Sequence, residues 1–279
     1  MITNPNVKIN LGLNILRKRE DGFHDLETLF VPYFGINDTL EIVVGDDYSR
    51  TSAAIFGKYA SDMIAQGISE DGKLMITIAR AEGVDWDPLK DLTAKAYYIL
   101  AEDFNLPPVK IFLQKTSPVG AGLGGGSADA AFALKMLNEL CELGLSDQQL
   151  ADYAARLGSD CPLFIYNRPM IGEGRGEILT EYPLDLSAYD LQVLTPEGVS
   201  VSTKEAYAGI RPHIPEIPLR EALARPVEEW PQVLVNDFEE TVFANHPELA
   251  AIKRSLYDSG ATYASMSGSG SALFAIYRK

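Results

Sequence analysis

Apolar residues occupy every odd position from Val7 to Ile15, and mostly polar residues separate them. Alternation with period two predicts a half-buried β-strand over residues 7–16. Lys8, Asn10 and Asn14 lie on the polar face of this strand. Three further strands are predicted at residues 39–44, 74–79 and 109–114.

Helical spacing of apolar residues predicts three helices in the middle of the chain. They run over residues 89–104, from near 127 to near 144, and from 146 to 158. In the second of these, Ala130, Leu134 and Leu137 share one face. In the third, Ser146 and Gln149 form a capping box at the start. Strands that precede helices in this way are typical of a mixed α and β protein.

The pattern changes beyond residue 160, where prolines separate short segments. A late helix is predicted from Pro247 to near Gly260, and the apolar run 271–277 is typical of a strand buried on both faces. A chain of 279 residues is longer than one compact core usually spans. We therefore expect two domains, residues 1–170 and residues 171–279.

Residues 118–128 hold five glycines within seven positions, between a predicted strand and a predicted helix. Backbone that approaches a phosphate closely needs positions without a Cβ, and a helix start adds unpaired amides and a positive dipole end. This pattern favours a phosphate-binding loop over a flexible linker. Its candidate ATP-binding residues are Pro118, Gly120, Gly122, Leu123, Gly124, Gly125, Gly126 and Ser127.

Two other phosphate-binding patterns compete with this interpretation. A Walker loop ends in Gly-Lys-Ser/Thr, but Gly126 is followed directly by Ser127, so that class is excluded. Gly120, Gly122 and Gly125 satisfy the dinucleotide pattern G-x-G-x-x-G. However, the acidic residue that should end a second strand falls within the predicted helix, at Glu139 or Glu142. A kinase loop is favoured, and a dinucleotide-dependent oxidoreductase remains the alternative.

Composition and charge restrict the partners more than they identify one. Hydrophobic residues make up 46% and charged residues 23% of the chain, which is ordinary for a folded protein. The net charge of −15 argues against nucleic acid and anionic membrane as partners, but not against an anionic small molecule. We find no signal-peptide pattern and no apolar run of ~20 residues. With Cys141 and Cys161 interpreted as reduced core residues, a cytoplasmic protein is expected.

Two single residues and a serine-rich loop add to the glycine-rich loop. Taken alone, Lys8 is best interpreted as a solvated lysine on an edge strand, and Asp160 as a cap or turn aspartate. Residues 265–271 are small and hydroxyl-rich, which suits close approach to a triphosphate or to the glycine-rich loop. Lys8, the glycine-rich loop, Asp160 and residues 265–271 occur together and in this order, which favours a small-molecule kinase.

Five segments together carry a family resemblance: Lys8-Ile-Asn-Leu-Gly-Leu, Asp21-Gly-Phe-His-Asp-Leu, the glycine-rich loop, Leu157-Gly-Ser-Asp-Cys-Pro and Ser267-Gly-Ser-Gly-Ser. They resemble the GHMP kinase superfamily, over residues 7–277. The resemblance implies an α+β fold with an N-terminal domain like ribosomal protein S5 domain 2 and a ferredoxin-like C-terminal domain. It also implies ATP with Mg²⁺.

The first two segments resemble more specifically the members that phosphorylate the C2 hydroxyl of 4-diphosphocytidyl-2-C-methyl-D-erythritol, in non-mevalonate isoprenoid biosynthesis. By this resemblance Asp160 accepts the proton of the hydroxyl, Lys8 orients it, and Ser127 lies near the magnesium. Another small-alcohol kinase of the superfamily is a further alternative. The expected partner is a small-molecule substrate, and the expected state is a monomer or homodimer.

The resemblance also implies residues for the rest of the substrate. Asn10 and Thr203 match positions that contact the methylerythritol part. His24 matches the residue that recognises the cytosine edge, and Phe23 and Tyr207 match two aromatic residues that sandwich the base. Outside this set, Asp91 stands where the family often has an asparagine near the adenine.

Overall fold

The computed structural model describes residues 1–45, 47 and 49–279. The chain divides into two units. The first unit contains residues 1–7, 33–119 and 124–167, and the second unit contains residues 8–32, 120–123 and 168–279. The expected single boundary near residue 170 remains a prediction.

The strands are β1 (Ile2–Thr3), β2 (Asn6–Lys18), β3 (His24–Asn37), β4 (Thr39–Val44), β5 (Ile64–Ile68), β6 (Leu74–Arg80), β7 (Val109–Lys115), β8 (Met170–Glu173), β9 (Ile178–Glu181), β10 (Tyr189–Leu194), β11 (Tyr263–Met266) and β12 (Leu273–Arg278). The helices are α1 (Thr51–Lys58), α2 (Leu92–Ala101), α3 (Gly125–Leu140), α4 (Asp147–Leu157), α5 (Cys161–Tyr166), α6 (Thr203–Ala208), α7 (Leu219–Leu223), α8 (Trp230–Val233), α9 (Phe238–Asn245) and α10 (Pro247–Asp258). Single 3₁₀ turns cover Ser61–Met63, Pro88–Lys90 and Val227–Glu229.

The first unit contains a five-stranded sheet in the order β1-β4-β7-β6-β5. All neighbouring strands are antiparallel except β6 and β7, which are parallel. The three predicted strands at residues 39–44, 74–79 and 109–114 are confirmed as β4, β6 and β7. Most of their apolar positions are buried, and Ile42 and Ile111 fully so, because a sheet with helices packed on it removes these side chains from water.

The helix after the glycine-rich loop is confirmed, but its ends differ from the prediction. Helix α3 begins at Gly125, two residues early, because Gly124 in the left-handed conformation (φ +71°) already serves as its N-cap. It ends at Leu140 rather than near residue 144. Helix α4 is as predicted: the Ser146 hydroxyl accepts from the Gln149 amide, and both halves of the capping box form.

Helix α2 begins three residues later than predicted. Pro88–Lys90 form a 3₁₀ turn, and the Asp91 carboxylate caps α2 by accepting from the Thr93 amide at 2.8 Å. The same carboxylate accepts from Trp86 Nε1 at 3.0 Å. A side chain that satisfies an amide at the start of a helix fixes the start at that residue, whatever the apolar spacing before it.

The second unit contains a four-stranded sheet in the order β2-β3-β8-β9, apart from the first residues of β2 and the last of β3, which belong to the first unit. It also contains a three-stranded antiparallel sheet in the order β10-β12-β11, and helices α6 to α10. The late helix is confirmed as α10 and the C-terminal strand as β12. Strand β12 is the middle strand of its sheet, and residues 273–276 are fully buried.

Strand β2 is confirmed, but the expectation that only one of its faces is buried is wrong. Residues 6–15 are all buried, including Lys8 (3% exposed), Asn10 (2%) and Asn14 (5%). Their polar groups have protein partners in place of water; Asn14, for example, donates to the Glu27 carboxylate at 2.9 Å. Strand β2 therefore carries a buried polar face.

Candidate active site

The glycine-rich loop has a backbone that most residues could not adopt. Gly120, Gly122 and Gly124 have φ angles of +73°, +76° and +71°. These angles lie in the left-handed region, which costs an L-residue roughly 1–2 kcal/mol. Ala121 and Leu123, between these glycines, are buried. In this alternation the two apolar side chains are buried, and glycine occupies the positions around them.

Gly122 also needs to be glycine because another loop lies against it. A Cβ at Gly122 would lie 2.1 Å from the Ser267 carbonyl oxygen. The Ser267 hydroxyl donates to the Gly122 carbonyl at 3.1 Å. The expectation that residues 265–271 approach the glycine-rich loop is confirmed.

Lys8 is part of a buried hydrogen-bond network in the second unit. Its ammonium donates to Asn10 Oδ1 at 2.6 Å and to the Gly122 carbonyl at 2.9 Å, and it lies 5.4 Å from the centre of the Phe30 ring. Asn10 in turn donates to the Thr28 hydroxyl at 3.1 Å. The structure thus brings Lys8, Asn10 and Gly122 together, and Lys8 is not the solvated lysine that the strand pattern alone favours.

Asn236 fixes the serine-rich loop and was missed by the sequence analysis. Its amide donates to the Met266 carbonyl at 2.8 Å and to the Gly268 carbonyl at 2.9 Å. Asn236 is buried, and its side-chain oxygen Oδ1 accepts from the backbone amide of Phe238. Nothing in the spacing along the chain marks this asparagine, since its partners lie about thirty residues away.

Two candidate residues lie in the first unit, at the starts of adjacent helices. Ser127 is in the first turn of α3, and Cys161 is the first residue of α5. Asp160 is the N-cap residue of α5, half-buried, and makes no capping hydrogen bond to that helix. Burial raises the pKa of Cys161 to about 12. Cys161 is therefore a neutral, buried thiol at pH 7.

The first unit also holds a buried ionic cluster that the sequence analysis missed. Lys115 donates to the carboxylates of Asp38 and Asp129, each at 2.6 Å. Two signals could have indicated it: a lysine ends the strand before the glycine-rich loop, and an aspartate interrupts the alanines of α3.

The aromatic candidates of the second unit do not all meet. His24 stacks on Tyr207, with ring centres 4.8 Å apart and planes 25° apart. Phe23 is 53% exposed, and the Arg175 guanidinium lies 4.9 Å from its ring centre. Burial, with a smaller effect of Lys18, lowers the pKa of His24, so its imidazole is neutral at pH 7. Thr203, at the start of α6, has its hydroxyl 3.5 Å from that of Ser269.

The structure argues against the dinucleotide interpretation of the loop. After α3 the chain continues into α4 and α5, so the second strand of a βαβ unit does not follow. Among the described residues, no group of three or more His, Cys, Asp or Glu side chains could hold a metal ion. In the same part of the chain, no helix is long and apolar enough to cross a membrane.

Comparison with known proteins shows the family. Residues 91–168 match the model for the GHMP kinases N terminal domain, and residues 219–279 match the model for the GHMP kinases C terminal domain. The chain is 47% identical over 277 residues to a 4-diphosphocytidyl-2-C-methyl-D-erythritol kinase of Bacteroides thetaiotaomicron, covering 99% of this chain and 92% of that protein. The chain belongs to the 4-diphosphocytidyl-2-C-methyl-D-erythritol kinase family of GHMP kinases.

Solved structures agree with this membership. A crystal structure of 4-(cytidine 5'-diphospho)-2C-methyl-D-erythritol kinase matches with a TM-score of 0.74 and 29% identity, over 99% of this chain and 89% of that one. A homoserine kinase from Cytophaga hutchinsonii matches with a TM-score of 0.66 and 17% identity, over 99% and 86%, which shows a shared fold alone. The expected α+β class of the GHMP kinase family is confirmed.

Proposed function

We propose that the chain transfers the γ-phosphoryl group of ATP to the C2 hydroxyl of 4-diphosphocytidyl-2-C-methyl-D-erythritol, giving the 2-phosphate in non-mevalonate isoprenoid precursor biosynthesis. The observation that carries the proposal is the 47% identity, over nearly the whole chain, to a kinase named for this substrate. We further expect the enzyme to act in the cytoplasm, as a monomer or homodimer.

In this proposal the glycine-rich loop holds the phosphates of ATP. Loop amides and the positive end of the sixteen-residue helix α3 attract an anion. Magnesium takes oxygen ligands and keeps several waters, so it fits a site in which Ser127 supplies one hydroxyl and ATP supplies phosphate oxygens. When bound, the metal would neutralise charge that develops between the β- and γ-phosphates.

Asp160 and Lys8 are the proposed catalytic residues. The substrate oxygen forms a bond to the γ-phosphorus, the bond from that phosphorus to ADP breaks, and the hydroxyl proton passes to the Asp160 carboxylate. Phosphoryl transfer depends mainly on positioning and charge stabilisation, and the buried Lys8 ammonium supplies a fixed positive charge. Asn10, which Lys8 already contacts, and Thr203 are proposed to hold the methylerythritol part.

The aromatic residues are proposed to bind cytosine. Stacking on an aromatic ring contributes roughly 1–3 kcal/mol per base and does not depend on net charge, which suits a protein of net charge −15. Because His24 stacks directly on Tyr207, a base that uses this face of the ring must displace the imidazole. His24 is then available to hydrogen-bond the cytosine edge, and Phe23 to cover the base.

Single-turnover assays on three alcohols test the substrate directly. We expect phosphorylation of the cytidylyl substrate, with mevalonate and homoserine at least ~100-fold slower. NADH fluorescence on titration should not change, whereas ATP should raise the melting temperature. Preference for mevalonate or homoserine would favour another kinase of the superfamily, and NADH binding would favour the oxidoreductase.

Substitution of Tyr207 tests the base site. Tyr207→Ala should raise the KM for the cytidylyl substrate about 5- to 150-fold, which corresponds to a stacking loss of ~1–3 kcal/mol. The KM for ATP should stay within about twofold. Tyr207→Phe keeps the ring and is the matched control. An unchanged KM in Tyr207→Ala, measured by initial rates, would remove Tyr207 from the base site.

A further inference from the structure

Three buried side chains meet directly beneath the start of the glycine-rich loop. Lys115 is the last residue of β7, Asp38 lies between β3 and β4, and Asp129 lies in the second turn of α3. The Lys115 ammonium donates to Asp38 Oδ2 and to Asp129 Oδ2, both at 2.6 Å. The side chains are only 5%, 1% and 1% exposed. The proposed roles in catalysis and substrate binding use none of these residues.

One ammonium cannot fully compensate two buried carboxylates. Asp38 also accepts from the amides of Thr116 and Ser117 and from the Ser117 hydroxyl, at 2.6 to 2.7 Å. Oδ1 of Asp129 accepts no hydrogen bond from the described residues. Burial raises the pKa of Asp38, but Lys115 and the Ser117 donors outweigh it and the pKa is lowered. Burial raises the pKa of Asp129 well above its usual range, although the nearby Lys115 ammonium lowers it.

The cluster also joins the two ends of the loop. A Cβ on Gly125 would lie 2.3 Å from the Ser117 hydroxyl and 3.1 Å from the Lys115 ammonium. The residue that enters the loop and the residue that begins α3 are therefore in contact. Asp38 accepts from the two amides that follow β7, those of Thr116 and Ser117. Lys115 contacts α3 through Asp129.

We propose that Lys115 is a positioning residue for phosphoryl transfer, which clamps the first turns of α3 to the end of β7 and so fixes the base of the glycine-rich loop for the phosphates of ATP. This inference rests on the proposed function of that loop. Lys115 acts through Asp38 and Asp129 and not by touching the nucleotide. A displacement of about 1 Å at a positioned group can cost ~10²-fold in rate, so the loop requires a rigid base.

Lys115→Met tests the clamp, because it keeps the aliphatic stem and removes the ammonium. We expect the KM for ATP to rise at least ~10-fold, while the KM for the alcohol acceptor stays within about twofold. Ile55→Ala is the control for lost stability: Ile55 is fully buried in α1, in a separate apolar cluster with Val43 and Tyr59. It should lower the melting temperature without changing either KM. A normal KM for ATP in Lys115→Met, or an equal rise in Ile55→Ala, would overturn the proposal.

Variants of Asp129 keep the proposal testable if Lys115→Met does not fold. Asp129→Ala removes the acceptor for Lys115 and should raise the KM for ATP at least threefold. Asp129→Asn keeps an acceptor oxygen and resembles the protonated acid, so it should restore the KM to within about twofold of the unsubstituted enzyme. Equal values for the two variants would contradict a clamp that acts through this contact.

Calorimetric titration with ATP, without acceptor, separates this inference from the proposed function. If the unsubstituted chain does not phosphorylate the cytidylyl substrate, the substrate assignment fails. ATP affinity weakened at least ~10-fold in Lys115→Met still supports the clamp in that case. Unchanged ATP affinity in Lys115→Met overturns the clamp, whichever alcohol is the substrate.

Discussion

Lys8 carries a charge that the fold removes from water, since its side chain is buried and its ammonium donates to Asn10 Oδ1 and to the Gly122 carbonyl. A fixed, dehydrated cation stabilises developing negative charge better than a solvated one. We predict that Lys8→Met, which keeps the aliphatic stem of the side chain, lowers kcat by at least ~10²-fold.

Asp160→Asn should lower kcat by ~10²- to 10⁴-fold, the range for loss of a general base. Single-turnover rates at saturating ATP measure both effects.

The control for these two variants is a test that each still folds and binds ATP. Both should keep the circular dichroism spectrum and the ATP-dependent rise in melting temperature, because neither residue belongs to the apolar core. Near-normal turnover in Lys8→Met or Asp160→Asn would rule out the role assigned to that residue.

Roles of single residues could be predicted only where a recognisable segment surrounded the residue, and these roles stay predictions. Lys8 and Asp160 were proposed as catalytic residues by resemblance, because alone each has a more ordinary interpretation. Lys115 is buried, as Lys8 is, but its partner Asp38 lies 77 residues away. A pairing over that distance depends on how strands β4 and β7 align, and local pattern carries no information about it.

The glycine-rich loop behaves as one element, in which two glycines with similar backbone angles differ in their surroundings. A Cβ at Gly120 would meet nothing within 4 Å, whereas one at Gly122 would lie 2.1 Å from the Ser267 carbonyl oxygen. Gly120→Ala should cost roughly 1–2 kcal/mol of unfolding free energy, from its φ angle alone. Gly122→Ala should cost at least ~1 kcal/mol more, because backbone must also move.

Urea denaturation of the two alanine variants measures this difference. Since both variants carry the same change in side chain and nearly the same φ, the excess loss in Gly122→Ala isolates the contact with the serine-rich loop. Equal losses of unfolding free energy in the two variants would show that residues 265–271 can move away from a Cβ at residue 122 at no energetic cost.

Element positions were largely predictable, and element ends less so. The capping box at Ser146 placed α4 correctly, because its two hydrogen bonds are local to the sequence. Helix α2 was placed three residues early, because the 3₁₀ turn at Pro88–Lys90 continues the apolar spacing ahead of the true cap at Asp91. A helix start that is fixed by a capping side chain can be predicted only if candidate capping residues are examined before the spacing of apolar residues is used to place the helix.

Whole-molecule properties were the least visible in the sequence. The alternation in β2 predicted a polar face in water, but both faces are buried, because polar residues from distant segments, such as Thr28 and Ser267, supply its partners. The division into two units likewise assigns residues 8–32 together with residues 168–279. Such long-range assignments depend on tertiary contacts, which periodicity along the chain does not encode.

The stability of the whole chain should depend on pH through its buried carboxyl groups. The folded pKa of Asp129 is raised by burial, so between the ordinary value of 3.8 and that raised value the folded state binds more protons than the unfolded state. Stability therefore falls as pH rises through this window, by at most about 1.4 kcal/mol per pH unit for one proton. Asp38 has a lowered pKa, so its contribution is lost in the opposite direction, as pH falls below 3.8.

The variant Asp129→Asn separates the effect of Asp129 on stability from that of Asp38. The amide cannot titrate, so the variant should lose less unfolding free energy than the unsubstituted chain as pH rises above 3.8, while the loss of stability below pH 3.8 that Asp38 causes should persist. The net charge of −15 adds self-repulsion as pH rises, but both proteins share it and it cancels in the difference. Urea denaturation across this range gives the two curves. Parallel curves would mean that Asp129 is ionised in the folded state and that Lys115 is shared between two charged carboxylates.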